Sequence, residues 1–471
     1  MDLLEQHDVL VDILGRLPPR SLAACRRVCT AWRATVDGHR LLRAAELPLS
    51  PQGIFYETTD MIVPMLFSRP SMARHVAATF RGLGDSFLLE LMDCCNGLLL
   101  LWDHVLNPAT GQVAQLPPQP RPCAVDGCKN CGSDHYLAYD PAVSPHYEVF
   151  LVPFIPVHLS PDHISRHICH QPGQVSAMEW PPSPYILHVF SSSRTGGGGC
   201  WEERPFVRQG EAAGTVADVK PRDNVGFLYH TAYWRQALYV LCGHGFVLRI
   251  NSHNDTYRVI KLPKGKKGTP RLGKSKNGVF CALRHQRGMF EVWSLDESHD
   301  GHQMQWALNY KIDLEPVIEY YRRNNYTNKE QWISVSLEED PENNAKLERL
   351  LVQDIDEEWN FDDDENAIDV TGWTRKCSST ESPYYVDCFG FHPCKEIVFF
   401  YGRGRTVAYH LNCSKGSNLS NLWEDTFTPF GTSESNPEGC SASLHLAYTV
   451  LASSDLLTGT CCTICILHDS I

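Results

Sequence analysis

The chain has 471 residues, is 43% hydrophobic and 21% charged, and carries a formal net charge of −13. That length holds more than one domain or one large repeat domain, with ample apolar material for a core. The acidic balance argues against a general nucleic-acid or anionic-membrane surface.

The stretch Met1–Asp8 has no basic region followed by an apolar one, and the longest apolar run, Leu98–Trp102, is far too short to cross a bilayer. Nineteen Cys in such a chain read as small core hydrophobes of a reduced protein, so cytoplasm and nucleus are the expected compartments.

Residues 8–44 have helical periodicity. Val9, Leu10, Ile13, Leu14 and Leu17 recur at helical spacing with Asp8 as the expected N-cap, and Pro18-Pro19 stops the run. Ser21 is placed to cap a second short helix through Cys25, and Val28, Trp32 and Val36 mark one face of a third. Three short helices bury too little surface to stand alone, so their apolar residues are candidates for an interface.

From about residue 86 the texture changes to short β runs separated by Gly, Asn, Asp and Pro. Leu98–Trp102, Tyr147–Val152, Tyr185–Phe190, Ala237–Leu241, Phe246–Ile250, Val279–Leu283, Phe290–Leu295 and Glu396–Tyr401 read as strands. The runs flanking Cys242-Gly243-His244-Gly245 predict a hairpin, and Asn107 to Gly111 predict a turn. Comparable units start near residues 97, 138, 186, 237, 279 and 396. Their spacing is that of a four-stranded propeller blade, with one or two degenerate blades and an insertion expected in the long gap before 396. The expected architecture is multidomain: a small all-α module of three helices over 1–46, a connector over 47–85, and a large all-β propeller-like domain over 86–471.

Two stretches carry the resemblance to a known family. Asp8-Val9-Leu10-Val11-Asp12-Ile13-Leu14-Gly15-Arg16-Leu17-Pro18-Pro19-Arg20-Ser21-Leu22, followed by Arg27-Val28-Cys29-Thr30-Ala31-Trp32-Arg33, resembles the F-box. Where that family usually opens with Leu-Pro, this chain reads Glu5-Gln6. Cys95-Asn96-Gly97-Leu98, Asn107–Gly111, Tyr233–Leu241, Leu272–Ser275 with Val292–Leu295, and Phe391-His392-Pro393 are similar to the F-box-associated, kelch-like domain of plant F-box proteins, the grass versions above all.

The resemblance implies a substrate-recognition subunit of a Skp–cullin–F-box ubiquitin ligase, performing no bond chemistry itself. Leu10, Leu14, Leu17, Pro18, Leu22, Val28, Cys29 and Trp32 would serve the Skp-type adaptor, some as module core and some as contacts. The adaptor would bring a cullin, and the β domain an unidentified target protein. The alternative is a stand-alone propeller interaction module that has lost adaptor binding through the Glu5-Gln6 departure. No cofactor, nucleic acid or membrane is expected.

Other motifs read as structural. Cys123, Cys128, Cys131 and His135 have zinc-ligand types, but no second Cys-x2-Cys stands at finger spacing, and the stretch reads as a loop. The run Asp354–Asp369 holds nine acidic residues and no Lys or Arg, and reads as a solvated insertion. Lys264, Lys266, Lys267, Arg271, Lys274 and Lys276 read as an exposed inter-strand loop, with contact to an acidic partner as the functional reading. Hydrolase-elbow, phosphate-loop, metalloprotease and dinucleotide motifs are missing from the sequence.

Overall fold

A computed structural model describes residues 3–17, 25, 28–39, 41, 53–58, 61–68, 91–108, 111–121, 132–141, 143–144, 146–153, 178–194, 199–216, 218–219, 231–242, 245–263, 270–275, 277–285, 288–297, 304–317, 333–336, 368–369, 386–393, 395–402, 405–421 and 447–449.

Two helices open the chain: α1 (Leu3–Gly15) and α2 (Thr30–Gly38). Leu10, Leu14 and Leu17 fall at i, i+4 and i+7, so they share one face. Leu14 and Val36 are buried against each other, and Leu10, Leu17, Cys25, Trp32 and Leu41 pack around them. α1 closes with tight bonds from Arg16 N to Ile13 O at 3.2 Å and from Leu17 N to Leu14 O at 3.0 Å. It starts five residues before Asp8, so Asp8 lies inside the helix instead of capping it. α2 begins after Cys29, whose Sγ accepts from Trp32 N at 3.5 Å in the position of a cap. Val28 therefore precedes the helix and does not share its face with Trp32 and Val36. Pro18, Pro19 and the expected second helix up to Ala24 lie outside the described residues; Cys25 is helical.

The rest is β-structure. β1 (Gly53–Thr58) and β2 (Met61–Ser68) lie in the stretch expected as a connector. β3 (Leu91–Cys95), β4 (Leu98–Leu101), β5 (His104–Asn107) and β6 (Gln112–Gln115) form a four-stranded meander. β7 (Ser133–Ala138), β8 (Glu148–Pro153), β10 (Tyr185–Ser191) and β11 (Glu202–Arg208) form the next. β9 (Glu179–Trp180) and β12 (Gly214–Thr215) make a two-stranded ribbon beside it. Then come β13 (Thr231–Trp234), β14 (Ala237–Cys242), β15 (Phe246–Asn251) and β16 (Thr256–Lys261). A further meander holds β17 (Pro270–Ser275), β18 (Gly278–Arg284), β19 (Met289–Glu297) and β20 (Met304–Asp313). After β21 (Ile333–Ser336) and β22 (Ile368–Asp369), the last meander is β23 (Val386–Phe391), β24 (Ile397–Gly402), β25 (Arg405–His410) and β26 (Lys415–Asn421). β27 (Ala447–Thr449) follows.

Turn chemistry explains the meanders locally. Asn96 and Gly97, with φ of 44° and 95°, make the tight left-handed turn into β4, whose four leucines are all buried. Gly111 N donates to Asn107 O at 2.9 Å, closing the expected turn. β14 and β15 pair as the expected hairpin, Leu238 opposite Ile250 and Cys242 opposite Phe246.

The arrangement is propeller-like. Apolar cores lie between successive meanders: Met92, Leu98 and Leu100 meet Leu137 and Val149; Tyr136, Phe150 and Leu187 meet Leu238, Leu248 and Ile250. Tyr239 and Val247 meet Leu272 and Cys281, and Phe280, Phe290 and Val292 meet Phe391, Val398 and Phe400. The first strands of the meanders lie side by side, β3 against β7, β13 against β17 and β17 against β23. β27 pairs with β1 (Gly53 opposite Thr449) and packs against β3, which sets the sheet of β1 and β2 beside the first meander. β21 extends the same sheet by pairing with β2.

One expectation about the units is corrected. The strand at 185–191 starts no unit of its own; it is the third strand of the meander that begins at Ser133, paired with both β8 and β11. Most of the gap before 396, where one or two degenerate blades are expected, lies outside the described residues. Its β21 joins the N-terminal sheet and its β22 joins β26. The physical reason is that any strand edge accepts a neighbour, so spacing alone does not say which sheet a strand enters.

A further joint fuses two meanders into one eight-stranded sheet. The outer strands β11 and β16 pair in parallel, Val207 opposite Thr256 and Arg208 opposite Tyr257. Arg204 fastens this joint, donating to Asp255, to the Ser252 carbonyl at 2.5 Å and to Glu148 at 3.2 Å.

Candidate functional site

The helical module presents two kinds of apolar residue. Leu14, at 1% exposure, is core, and Leu10, Leu17 and Trp32 are half-buried around it. Val9 at 58%, Ile13 at 54% and Val28 at 64% are exposed, as is Cys29. Val9 and Ile13 are one turn apart on α1, so they form a stripe beside the inward face. Asp12 and Arg16 follow on the neighbouring exposed surface as an ion pair of 2.6 Å. Exposed branched aliphatics clustered next to a small core form a surface that a partner can cover.

Of the residues expected at the adaptor interface, Val28 and Cys29 are exposed, Leu14 is buried, and Leu10, Leu17 and Trp32 are half-buried. Pro18 and Leu22 lie outside the described residues. Val9 and Ile13, among the helical apolar residues read as interface candidates, are not among the eight that the resemblance assigns to the adaptor. Their signal was available, since an apolar pair one turn apart and offset from Leu10 and Leu14 widens the stripe beyond what the core fills.

Of the zinc-type set only His135 is among the described residues. His135 sits in β7 at 2% exposure with its ring 5.0 Å from that of Trp102, and neither ring nitrogen has a hydrogen-bond partner. Burial pushes its pKa down to about 4, so the imidazole is neutral. Cys123, Cys128 and Cys131 lie outside the described residues, and among the described residues no group of three or more metal-type ligands comes together. Of the acidic run, only Ile368 and Asp369 are described, paired with Gly416 and Lys415. Of the basic stretch, Arg271 is buried in β17 and Lys274 is half-buried, so the expected exposed loop is replaced at these two positions by a strand.

At the centre of the β-structure, Asp93 on β3 joins three meanders. Its carboxylate accepts from Leu137 N on β7 at 2.8 Å, from Thr231 Oγ1 on β13 at 2.9 Å and from Cys94 N at 2.8 Å. Desolvation outweighs these three bonds and raises its pKa to about 7. The ends of the same inner strands also meet: Asn96 Nδ2 donates to Tyr139 O at 2.6 Å, and Lys274 Nζ donates to Asn96 Oδ1 at 3.4 Å. Among the described residues, no helix is long and apolar enough to cross a membrane.

Residues 7–44 match the F-box-like family. The chain is 30% identical over 77 residues to F-box protein At1g15015 of Arabidopsis thaliana; the match covers 16% of this chain and 46% of that protein. The chain thus spans less than half the length of this curated relative. Among solved structures it is similar to KlHsv2 with loop 6CD replaced by a Gly-Ser linker, at 12% identity and TM-score 0.24, covering 55% of this chain and 69% of that one. It is also similar to the Cps50 (Swd1) β-propeller domain of Myceliophteria thermophila, at 9% identity and TM-score 0.21, covering 78% of this chain and 96% of that one. At such scores the description of the fold rests on strand pairing alone. The exposed stripe on α1 and the Val28-Cys29 corner before α2 fall within the segment, residues 7–44, that matches the F-box-like family.

Proposed function

We propose that the chain is the substrate-recognition subunit of a Skp–cullin–F-box type ubiquitin ligase. Its F-box-like domain docks on a Skp-type adaptor through Val9, Ile13, Val28 and Cys29, backed by Leu10, Leu17 and Trp32. A cullin joins through the adaptor. The β-structure, read as a kelch-like F-box-associated domain, holds a target protein. The chain supplies proximity and orientation to the ubiquitin-charged enzyme and carries out no bond chemistry itself. Cytoplasm and nucleus are the compartments in which such a complex works.

The observation that carries this reading is the set of exposed branched aliphatics, Val9, Ile13 and Val28, inside the segment that matches the F-box-like family. The test is co-expression of the full chain with a Skp-type adaptor and size-exclusion chromatography. A one-to-one complex, lost with Ile13→Asp, is the expected result. Folded wild-type chain that elutes alone overturns the ligase reading and leaves a stand-alone interaction module, with Glu5 and Gln6, both inside α1, as the first suspects.

A further inference from the structure

Four inner strands end close together. Asn96 follows β3, Tyr139 follows β7, Trp234 ends β13 and Lys274 lies near the end of β17. Hydrogen bonds tie them across the meanders, Asn96 to the Tyr139 carbonyl at 2.6 Å and Lys274 to Asn96 at 3.4 Å. The Trp234 indole has two cations near it, Lys274 Nζ at 5.8 Å and the Arg235 guanidinium at 5.7 Å from the ring centroid.

Lys274 is under-satisfied. An ammonium has three donors, and this one meets a single neutral acceptor and an aromatic face. Among the described residues no carboxylate pairs with it. A half-buried cation normally gains a counter-ion, because desolvation of the charge is otherwise uncompensated. Arg235 is mostly exposed and is ion-paired with Glu297 at 3.7 Å, a distance that leaves its N–H donors without a hydrogen bond to that carboxylate. Asp140, after β7, is the acidic group of this corner, since it and Lys274 both act electrostatically on the Cys95 thiol, and Asp140 has interactions of its own.

We propose that this convergence, with Lys274 and Arg235 beside Trp234 and Asn96, is where the β domain takes an anionic side chain of a target peptide, a carboxylate or a phosphate. The inference rests on the reading of the β-structure as the target-holding unit. Its logic is local. A chain of net charge −13 does not attract anions by its overall field, so an acidic ligand must be selected by short-range pairing. Arg235 offers two parallel donors to a carboxylate or phosphate, and Lys274 a point charge. Trp234 supplies a flat apolar wall for the stem of the bound side chain.

The experiment uses the full chain, co-expressed with a Skp-type adaptor and taken forward whether or not the two co-elute, and three labelled peptides of one length: Glu-rich, phosphoserine-containing and Gln-rich. Fluorescence anisotropy is expected to show binding of the anionic peptides, weakening as salt is raised, and none of the Gln-rich one. The tighter of the two anionic peptides identifies the source. Lys274→Met keeps the stem against Trp234 and is expected to weaken binding about tenfold or more. Arg235→Gln, at an exposed turn, is expected to weaken it as well and guards against misfolding of the first variant. Equal binding of the Gln-rich peptide, no binding of either anionic peptide, or affinities unchanged in both variants overturns the site. Adaptor co-elution is scored on the same preparations, so loss of the ligase reading is seen separately.

Discussion

Thr231 Oγ1 donates to Asp93 Oδ1 at 2.9 Å, across 138 residues of sequence. The bond joins the inner strand of one meander to that of the next but one, and the same carboxylate holds Leu137 N of the meander between them. One aspartate thus clasps three meanders, and the partial loss of its hydration favours the protonated carboxyl.

The clasp gives stability a pH dependence. Burial raises the folded-state pKa of Asp93 to about 7, from an ordinary value of 3.8. The folded protein therefore holds this proton more tightly than the unfolded chain. Its stabilising contribution is full below the ordinary carboxyl range and is lost as pH rises through about 7, at about 1.4 kcal/mol for each pH unit between the two values. Of the neighbours, the Cys95 thiol is pushed up to about 12 and Tyr233 higher still, so neither titrates in this window. Thermal unfolding between pH 5 and 8 is expected to show a falling midpoint in the wild type and a flatter profile in Asp93→Asn. Identical profiles would remove Asp93 as the cause.

Gly273 on β17 faces Phe391 on β23. A Cβ added at Gly273 would lie 2.7 Å from Phe391 Cδ2, and Phe391 is fully buried in the core that the last two meanders share. Gly273→Ala is expected to destabilise by about 1–3 kcal/mol through overpacking. The check is the denaturant midpoint, with Phe391→Leu in the Gly273→Ala background expected to recover part of the loss.

The helical module separates core from contact. Leu14→Ala removes a buried side chain and is expected to cost about 3 kcal/mol in a far-UV circular dichroism melt. Ile13→Asp changes an exposed position and is expected to alter stability by about 0.5 kcal/mol or less while abolishing adaptor co-elution. Trp32→Asp would place a charge against Leu14 and Val36, so it is expected to unfold the module and is the poorer interface probe. Retained adaptor binding in folded Ile13→Asp would exclude this stripe as the contact.

Arg204 holds the parallel joint between β11 and β16 through Asp255, Glu148 and the Ser252 carbonyl. Arg204→Ala leaves those acceptors without their shared donor and is expected to cost about 1–3 kcal/mol. Hydrogen exchange should rise first at Val207 N and Gln209 N, which bond to Asp255 O and Tyr257 O across the joint. Uniform protection in the variant would show that the joint stands without Arg204.

The sequence by itself determined what is local. Helical spacing marked Leu10, Leu14 and Leu17, and β texture marked the strands from Leu98 to Tyr401. Turn residues set the Asn107–Gly111 turn and the hairpin around Gly243. These signals reach only a few residues along the chain, which is why they survive without tertiary context. The tertiary structure decided which edges meet: β27 with β1, β21 with β2, and β11 with β16. All strand edges offer the same backbone donors and acceptors, so pairing at long range is chosen by the fit of side chains between sheets, which no single strand's spacing reveals. For the same reason Asp93, a lone acid in a short strand, carried no sign in sequence that it would join three meanders.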